Sequence, residues 1–346
     1  MWLASSSAIA FEPAFDIRSR GSAERIVVEF ELMEWQRHDV NIDGRLFHKI
    51  TVPGEANPME AGAPDLPRIS RSVIIPDDRT MKLRVLDAEY HDVRAWIAPS
   101  KGTLERTGNP AEVPYTFGPA YWRDAFYPEV PARLGEPYIL RDHRGIKVEL
   151  HPFQYNPMTN TLRIYTRLDV EVEASGPGQV NVKKRPEESR KPSQAFQGIY
   201  SHHFLNHDPG SRYDPLDEEG DLLIICHDPW MSHVQPLVEY KKSIGLDVSL
   251  VGVSTIGNNA YLILNFIQDV YDTTDLAFVL LVGDAEQVAS PERVIGAEKG
   301  SSDPTYALLE GSDAYPDIMV GRFSAETAAQ VATQVSRTIA YELAPA

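Results

Sequence analysis

Along the first half of the chain, apolar and polar residues alternate in short runs. ERIVVEFELMEW (24–35), RLFHKITV (45–52), RSVIIP (71–76), TMKLRVLDAEY (80–90), GIKVELHPFQYNP (145–157) and TLRIYTRLDVEVEA (161–174) are rich in Val, Ile, Leu and aromatics. The period of two is plain in Leu162 and Ile164, and again in Leu168, Val170 and Val172. Such a period places alternate side chains on opposite faces of a strand. Turn residues separate the runs: Asp43-Gly44, Pro53-Gly54, Pro76-Asp77-Asp78 and Asn156-Pro157. Regular short strands of this kind predict an all-β, sandwich-like domain over residues 24–175. Residues 100–133, rich in Pro, Gly and aromatics, read as a long excursion from it.

The period changes beyond residue 220. DLLIIC (221–226), DVSLVGV (247–253) and LAFVLLVGD (276–284) are nearly continuous apolar runs, as buried strands are. Between them, residues 230–244 suit a helix that Pro236 starts or kinks and Gly245 closes. Residues 258–272 suit a second helix, with Leu262, Phe266 and Val270 on one face. A last helix, 325–343, aligns Val331, Val335 and Ile339. Strands alternating with helices predict an α/β unit over residues 213–346 with a mostly parallel sheet. Residues 176–212 carry no convincing core pattern and read as a linker, with His202, His203 and His207 as ordinary loop residues.

Charge supports this division. The net charge of −17 excludes the basic stripe of a nucleic-acid binder. From Tyr213 onward, 21 acids face only 6 bases, so nearly all the excess lies in the α/β part. No apolar run reaches membrane-span length. The small, mildly apolar start MWLASSSAIA suits either the tail of a signal peptide or an irregular leader.

Little of the usual catalytic chemistry is present. Cys226 is the only cysteine, so no intrachain disulfide forms. It lies in an apolar strand beside His227, and adjacent strand residues point to opposite faces, which does not suit a Cys–His dyad. There is no G-x-S-x-G, no G-x-G-x-x-G and no P-loop. The acids Asp284, Asp313 and Asp317 are more informative. Asp284 ends a buried strand, and ligands of open α/β sheets bind outside the carboxyl ends of strands. Asp313, Tyr315 and Asp317 occupy alternate positions around Pro316, a spacing that suits a hard cation with oxygen ligands and equally a solvated acidic turn.

At these residues the chain resembles the gingipain-type cysteine peptidase family. LAFVLLVGD, SSDPTYALLEGSDAYPDIMVGRFSAET and QVSRTIAYE resemble successive blocks of the family's catalytic domain, and DLLIICHDPW and YKKSIGLDVSLV resemble its start. GEANPMEAGAPDLPRISRSVIIP and VELHPFQYNPMTNTLRIYTRLDVEV resemble its propeptide. The resemblance implies a β-rich prodomain followed by the first subdomain of a caspase-like α/β catalytic domain. It also implies a structural calcium held by Asp284, the Glu310 carbonyl, Asp313, the Tyr315 carbonyl and Asp317. Cleavage is expected at the Arg212–Tyr213 junction, with earlier cuts at Lys183–Arg185 and Arg190–Lys191, and Arg106 is one candidate for blocking the cleft. In the family, the catalytic histidine and cysteine lie in a second subdomain whose motifs do not occur here, so the chain is expected to be a fragment inactive by itself. The function implied is a secreted or cell-surface bacterial zymogen of a cysteine endopeptidase that acts on proteins and peptides. A calcium-binding surface protein and a sortase-like transpeptidase are the alternatives.

Overall fold

The computed structural model describes residues 13–184, 193–208, 220–295 and 298–345. The chain forms two compact units. The first holds residues up to 76, 80–136 and 146–176, and the second holds 77–79, 137–145 and 177 onward.

Antiparallel strands build the first unit: β1 (Phe15–Ser22), β2 (Arg25–Leu32), β3 (Gln36–Ile42), β4 (Arg45–Thr51), β5 (Ile69–Ile74), β6 (Arg79–Arg94), β7 (Ala132–Leu134), β8 (Tyr138–Leu140), β9 (His143–Leu150), β10 (Phe153–Asn156) and β11 (Thr161–Pro177); of these, β8 and the start of β9 belong to the second unit. One sheet has the order β1-β2-β11-β10, with β6 also on β11, and a second runs β5-β9-β7. β2 and β11 pair with Val28 opposite Val170. Their alternate residues Ile26, Val28, Phe30, Leu168, Val170 and Val172 are all buried, so the period of two in the sequence is the core face of this sheet. β3 and β4 form a hairpin whose turn residues Asp43 and Gly44 both have positive φ, as the Asp-Gly pair favours. Strand β1 went unrecognised because FDIRSRGS has almost no apolar alternation. It is held by pairing with β2 across Gly21, where a Cβ would lie 2.2 Å from the Arg25 carbonyl oxygen.

The second unit continues with α1 (Gln194–His203), β12 (Asp221–Cys226), α2 (Met231–Ser243), β13 (Asp247–Gly252), α3 (Val253–Ile256), α4 (Ala260–Thr273), β14 (Leu276–Val282), β15 (Glu292–Ile295), β16 (Glu298–Ser301), β17 (Met319–Phe323) and α5 (Ala328–Leu343). Its main sheet has the order β13-β12-β14-β17, and every pair is parallel. Side chains of β12 divide between two cores. Leu222, Ile224 and Cys226 pack with Val234 and Leu237 of α2 and Val331 and Val335 of α5. Leu223 and Ile225 pack with Ile263, Ile267 and Tyr271 of α4. Burial on both faces is why β12 reads as a continuous apolar run.

The helix ends follow from local chemistry. Gly245, at φ 103°, ends α2 with the Leu246 amide on the Lys241 carbonyl and the Gly245 amide on the Lys242 carbonyl. Pro236 lies inside α2. Thr327 and Gln330 form a reciprocal capping box at the start of α5. In α4 the expected face is corrected: Ile263, Ile267 and Tyr271 are fully buried, whereas Leu262 is largely exposed. Two apolar series with i, i+4 spacing run side by side there. The winning one carries Tyr271, whose hydroxyl finds the Glu310 carboxylate at 2.7 Å.

The linker expectation also changes. β11 extends to Pro177, and Gln194–His203 is a helix with Phe196 and Tyr200 fully buried. Phe196, Tyr200 and Phe204 recur every four residues, a sparse stripe that the intervening polar residues disguise.

Candidate functional site

The acidic loop between Leu308 and Asp317 lies at the amino end of β17, and Ile139, Arg141 and Asn181 of the same unit hold it. Asp317 is fully buried. Its Oδ2 accepts the backbone amides of Leu309 and Glu310, both at 2.8 Å, and its Oδ1 accepts the Arg141 amide at 3.2 Å. Burial pushes the Asp317 carboxyl up, to about 7, against the opposing pull of these amides. Asp313 accepts the Tyr315 amide on Oδ1 and the Ile139 amide on Oδ2, each at 2.9 Å. The Tyr315 ring stacks on Tyr138 with centroids 3.7 Å apart. Asn181 accepts the Ser312 amide at 2.8 Å and donates to the Pro137 carbonyl at 2.8 Å.

Arg141 is the centre of this arrangement. It lies in the turn between β8 and β9 at φ 49° and is fully buried. Its guanidinium donates to the carbonyls of Leu276 at 2.7 Å, Asp317 at 3.0 Å and Asp275 at 3.4 Å, and sits 4.8 Å from the Phe196 ring centroid. A buried guanidinium is tolerated only when several acceptors replace water. Sequence reasoning missed it. The available signal was an arginine between the apolar run YIL and a turn, a place where an exposed arginine is the usual expectation.

Of the five calcium ligands expected from the sequence, Asp284 lies apart from the other four. The pairing of Phe278 with Met319 sets Asp317 level with the start of β14, whereas Asp284 lies beyond its far end. Eight residues at about 3.3 Å each put the two aspartates roughly 26 Å apart along the sheet. Ligands of one calcium at about 2.3–2.6 Å from the ion lie within about 5 Å of one another. Asp284 instead accepts the Ala285 amide at 2.9 Å and the Ser324 hydroxyl at 3.3 Å. Among the described residues, no group of three or more His, Cys, Asp or Glu is placed to hold a metal. The alternate spacing of 313, 315 and 317 serves the loop's own amides and the prosegment hairpin.

At the carboxyl ends of the strands, a different arginine organises the loop after β14. Arg322 grips both oxygens of Asp303 at 2.7 Å and donates to the carbonyls of Gly283 at 2.8 Å and Val288 at 2.9 Å. This bond pattern holds the Asp303 carboxyl below its ordinary value. On the same edge, Asp228 accepts the Ser254 hydroxyl at 2.6 Å and amide at 3.0 Å. Cys226 is buried, and its thiol is pushed up to about 12 by burial and the neighbouring Asp228. That protonated, enclosed thiol is no nucleophile. The three histidines near 202–207 are apart from any acid cluster: His203 meets the Tyr138 hydroxyl at 2.6 Å and His202 the Gly198 carbonyl at 2.8 Å. Arg106 is exposed in the first unit. Arg185, Arg190, Lys191, Arg212 and Tyr213 lie outside the described residues.

The fold is an antiparallel β unit followed by a parallel α/β unit that takes in residues 77–79 and 137–145 of the earlier chain. Comparison with known families makes the assignment specific. Residues 12–208 match the Propeptide_C25 family and residues 215–346 match Peptidase family C25. The chain belongs to this family of cysteine peptidases and joins its propeptide to peptidase sequence. It is 34% identical over 322 residues to Gingipain R2 of Porphyromonas gingivalis, which covers 91% of this chain and 43% of the relative. Lys-gingipain of the same organism is 23% identical over 355 residues, covering 94% of this chain and 19% of the relative. A solved complex of Porphyromonas gingivalis RgpB pro- and mature domains matches with a TM-score of 0.50 at 34% identity, over 56% of this chain and 98% of that one. The chain spans less than half the length of these curated relatives. The family boundary does not follow the structural one: residues 137–145, 177–184 and 193–208 match the propeptide family yet pack in the unit that holds the peptidase sequence.

Proposed function

We propose that this chain is part of the zymogen of a secreted or cell-surface cysteine endopeptidase, in which the prosegment is built into the peptidase unit until it is cut. The observation that carries this reading is Arg141, a propeptide-family residue fully buried against Leu276 and Asp317 of the peptidase family. Cys226 is enclosed and does not suit a nucleophile, and the resemblance to the family implies that the reactive thiol and its histidine lie in a second subdomain. The thiolate would attack the scissile carbonyl, and the histidine would hand a proton to the leaving amine. The described α/β unit would supply the rigid sheet against which that machinery is placed.

The cut belongs after Arg212. The two family matches leave residues 209–214 between them, and Arg212 is the one basic residue in that interval. A trypsin-like or Arg-specific activity would make it. Amino-terminal sequencing of the protein released by the native host tests this. A start at Tyr213 is the expected result, and a start upstream of Arg185 overturns it.

A further inference from the structure

Separate stretches of the first unit meet at an aromatic groove of about 470 Å³. The β3–β4 turn brings Asp43 and Arg45, the turn between β10 and β11 brings Asn160, and a short 3-10 turn, Pro119–Trp122, brings Tyr121 and Trp122. The floor is fixed. Tyr121 is buried with its hydroxyl on the Ile97 carbonyl at 2.9 Å, and Phe117 meets it edge-on with centroids 4.8 Å apart. Trp122 beside it is 73% exposed. We propose that this groove is a carbohydrate-binding site, in which the aromatic rings take the apolar face of a neutral sugar and Asp43, Arg45 and Asn160 take its hydroxyls.

The polar groups of the groove are open to a ligand. Arg45 lies over the Trp96 ring at 5.0 Å and gives none of its N–H groups to a described residue. The Asp43 carboxylate accepts from no described residue, and it forms no ion pair with Arg45 although both line the groove. Asn160 accepts the Tyr155 hydroxyl on Oδ1 at 3.3 Å, and its NH2 group donates to no described residue. Asp43 and Asn160 are both held at turn positions of positive φ, 50° and 54°. A free acceptor, free donors and exposed ring surface thus share one groove, within the size of small-molecule sites, about 300–1,000 Å³. A sugar ring matches all three, since its C–H face is apolar and its hydroxyls both donate and accept. A proline-rich segment also docks on aromatic grooves, but proline carries no N–H and would leave Asp43 unmatched. A nucleic-acid strand would bring its phosphates against that carboxylate.

NMR titration of the whole chain tests the site, with neutral tetrasaccharides of glucose, mannose, galactose and N-acetylglucosamine each at about 10 mM. At least one should shift the indole N–H of Trp122 and the side-chain amide of Asn160, and leave the indole of Trp230, buried in the second unit, unmoved. Trp122→Ala and Asp43→Gly should each weaken that binding about tenfold, and Trp122→Phe should keep most of it. Glycine accepts the positive φ of position 43, so the turn survives. If a variant does not fold, the wild-type shifts decide. No shift with any of the sugars overturns the site, as do shifts confined to other residues or binding unchanged by both substitutions. Shifts of the same signals by decaproline and by none of the sugars give the groove to a proline-rich segment, and overturn it too.

Discussion

The Arg141 amide donates to the Asp317 carboxylate, and the Arg141 guanidinium turns back to the Asp317 carbonyl, closing a contact between residues 176 apart in the chain. Each residue removes the other's cost of burial: the guanidinium finds carbonyls, and the carboxylate finds three amides. Arg141→Met should therefore destabilise the second unit by about 1–3 kcal/mol, since it keeps the backbone amide on the Asp317 carboxylate but leaves the buried Leu276 and Asp317 carbonyls without their donor. Arg141→Lys should not restore it, because an ammonium cannot fork to three separate carbonyls. Denaturant unfolding followed by circular dichroism measures both.

Asp317 and Asp284 should behave as unrelated residues. Asp317→Ala should destabilise the chain with or without calcium, because the Leu309, Glu310 and Arg141 amides all lose their acceptor. Asp284→Asn should leave any calcium response of the melting temperature unchanged. A calcium-dependent stabilisation lost equally in both variants would restore the single five-ligand site.

Gly283 has φ 133°, and a Cβ there would lie 2.7 Å from the Cβ of Gln287. Gly283→Ala should cost about 1–3 kcal/mol through backbone strain and this collision. Comparison of unfolding midpoints with a Gly300→Ala control, where a Cβ meets nothing within 4 Å, separates the collision from a general effect of removing glycine.

The Arg322–Asp303 pair predicts an acid dependence of its own. The folded Asp303 carboxyl titrates below its ordinary value, chiefly through its bond to Arg322. Its contribution is thus present above the ordinary carboxylate range and lost as pH falls through and below it. Arg322→Met should lower stability by about 2–3 kcal/mol at pH 7 and by much less at pH 3, measured by parallel denaturant titrations.

Cys226 should resist thiol reagents in the folded chain at pH 8 and react fully once denatured, because its thiol is enclosed and raised to about 12. Rapid labelling of the native chain would contradict this placement.

What the sequence revealed and what it hid follow one rule. Wherever one element buried its own periodic stripe, the pattern was legible: β12, β13, β14, α2 and α5 lie where the apolar periodicity put them. The α/β class and the all-β prodomain follow from those patterns. Contacts made by lone polar or aromatic residues over long separations left no local trace. Arg141 and the Tyr138–Tyr315 stack belong to that group. The acidic spacing at 313–317 was visible, but its partners were backbone amides from position 139 and beyond, which no periodicity encodes. Asp284 was placed correctly at the carboxyl end of β14 but grouped with Asp313 and Asp317, because spacing along the chain does not show that β14 separates it from Asp317.

The zymogen reading is tested most directly by following peptide hydrolysis in the protein as its native host makes it, before and after scission at the junction. Activity should be absent or low in the uncut protein, should rise as the Tyr213 amino terminus appears, and should be abolished by a thiol alkylator that leaves Cys226 unlabelled. Full hydrolysis by the uncut protein, or activity indifferent to alkylation, would contradict it.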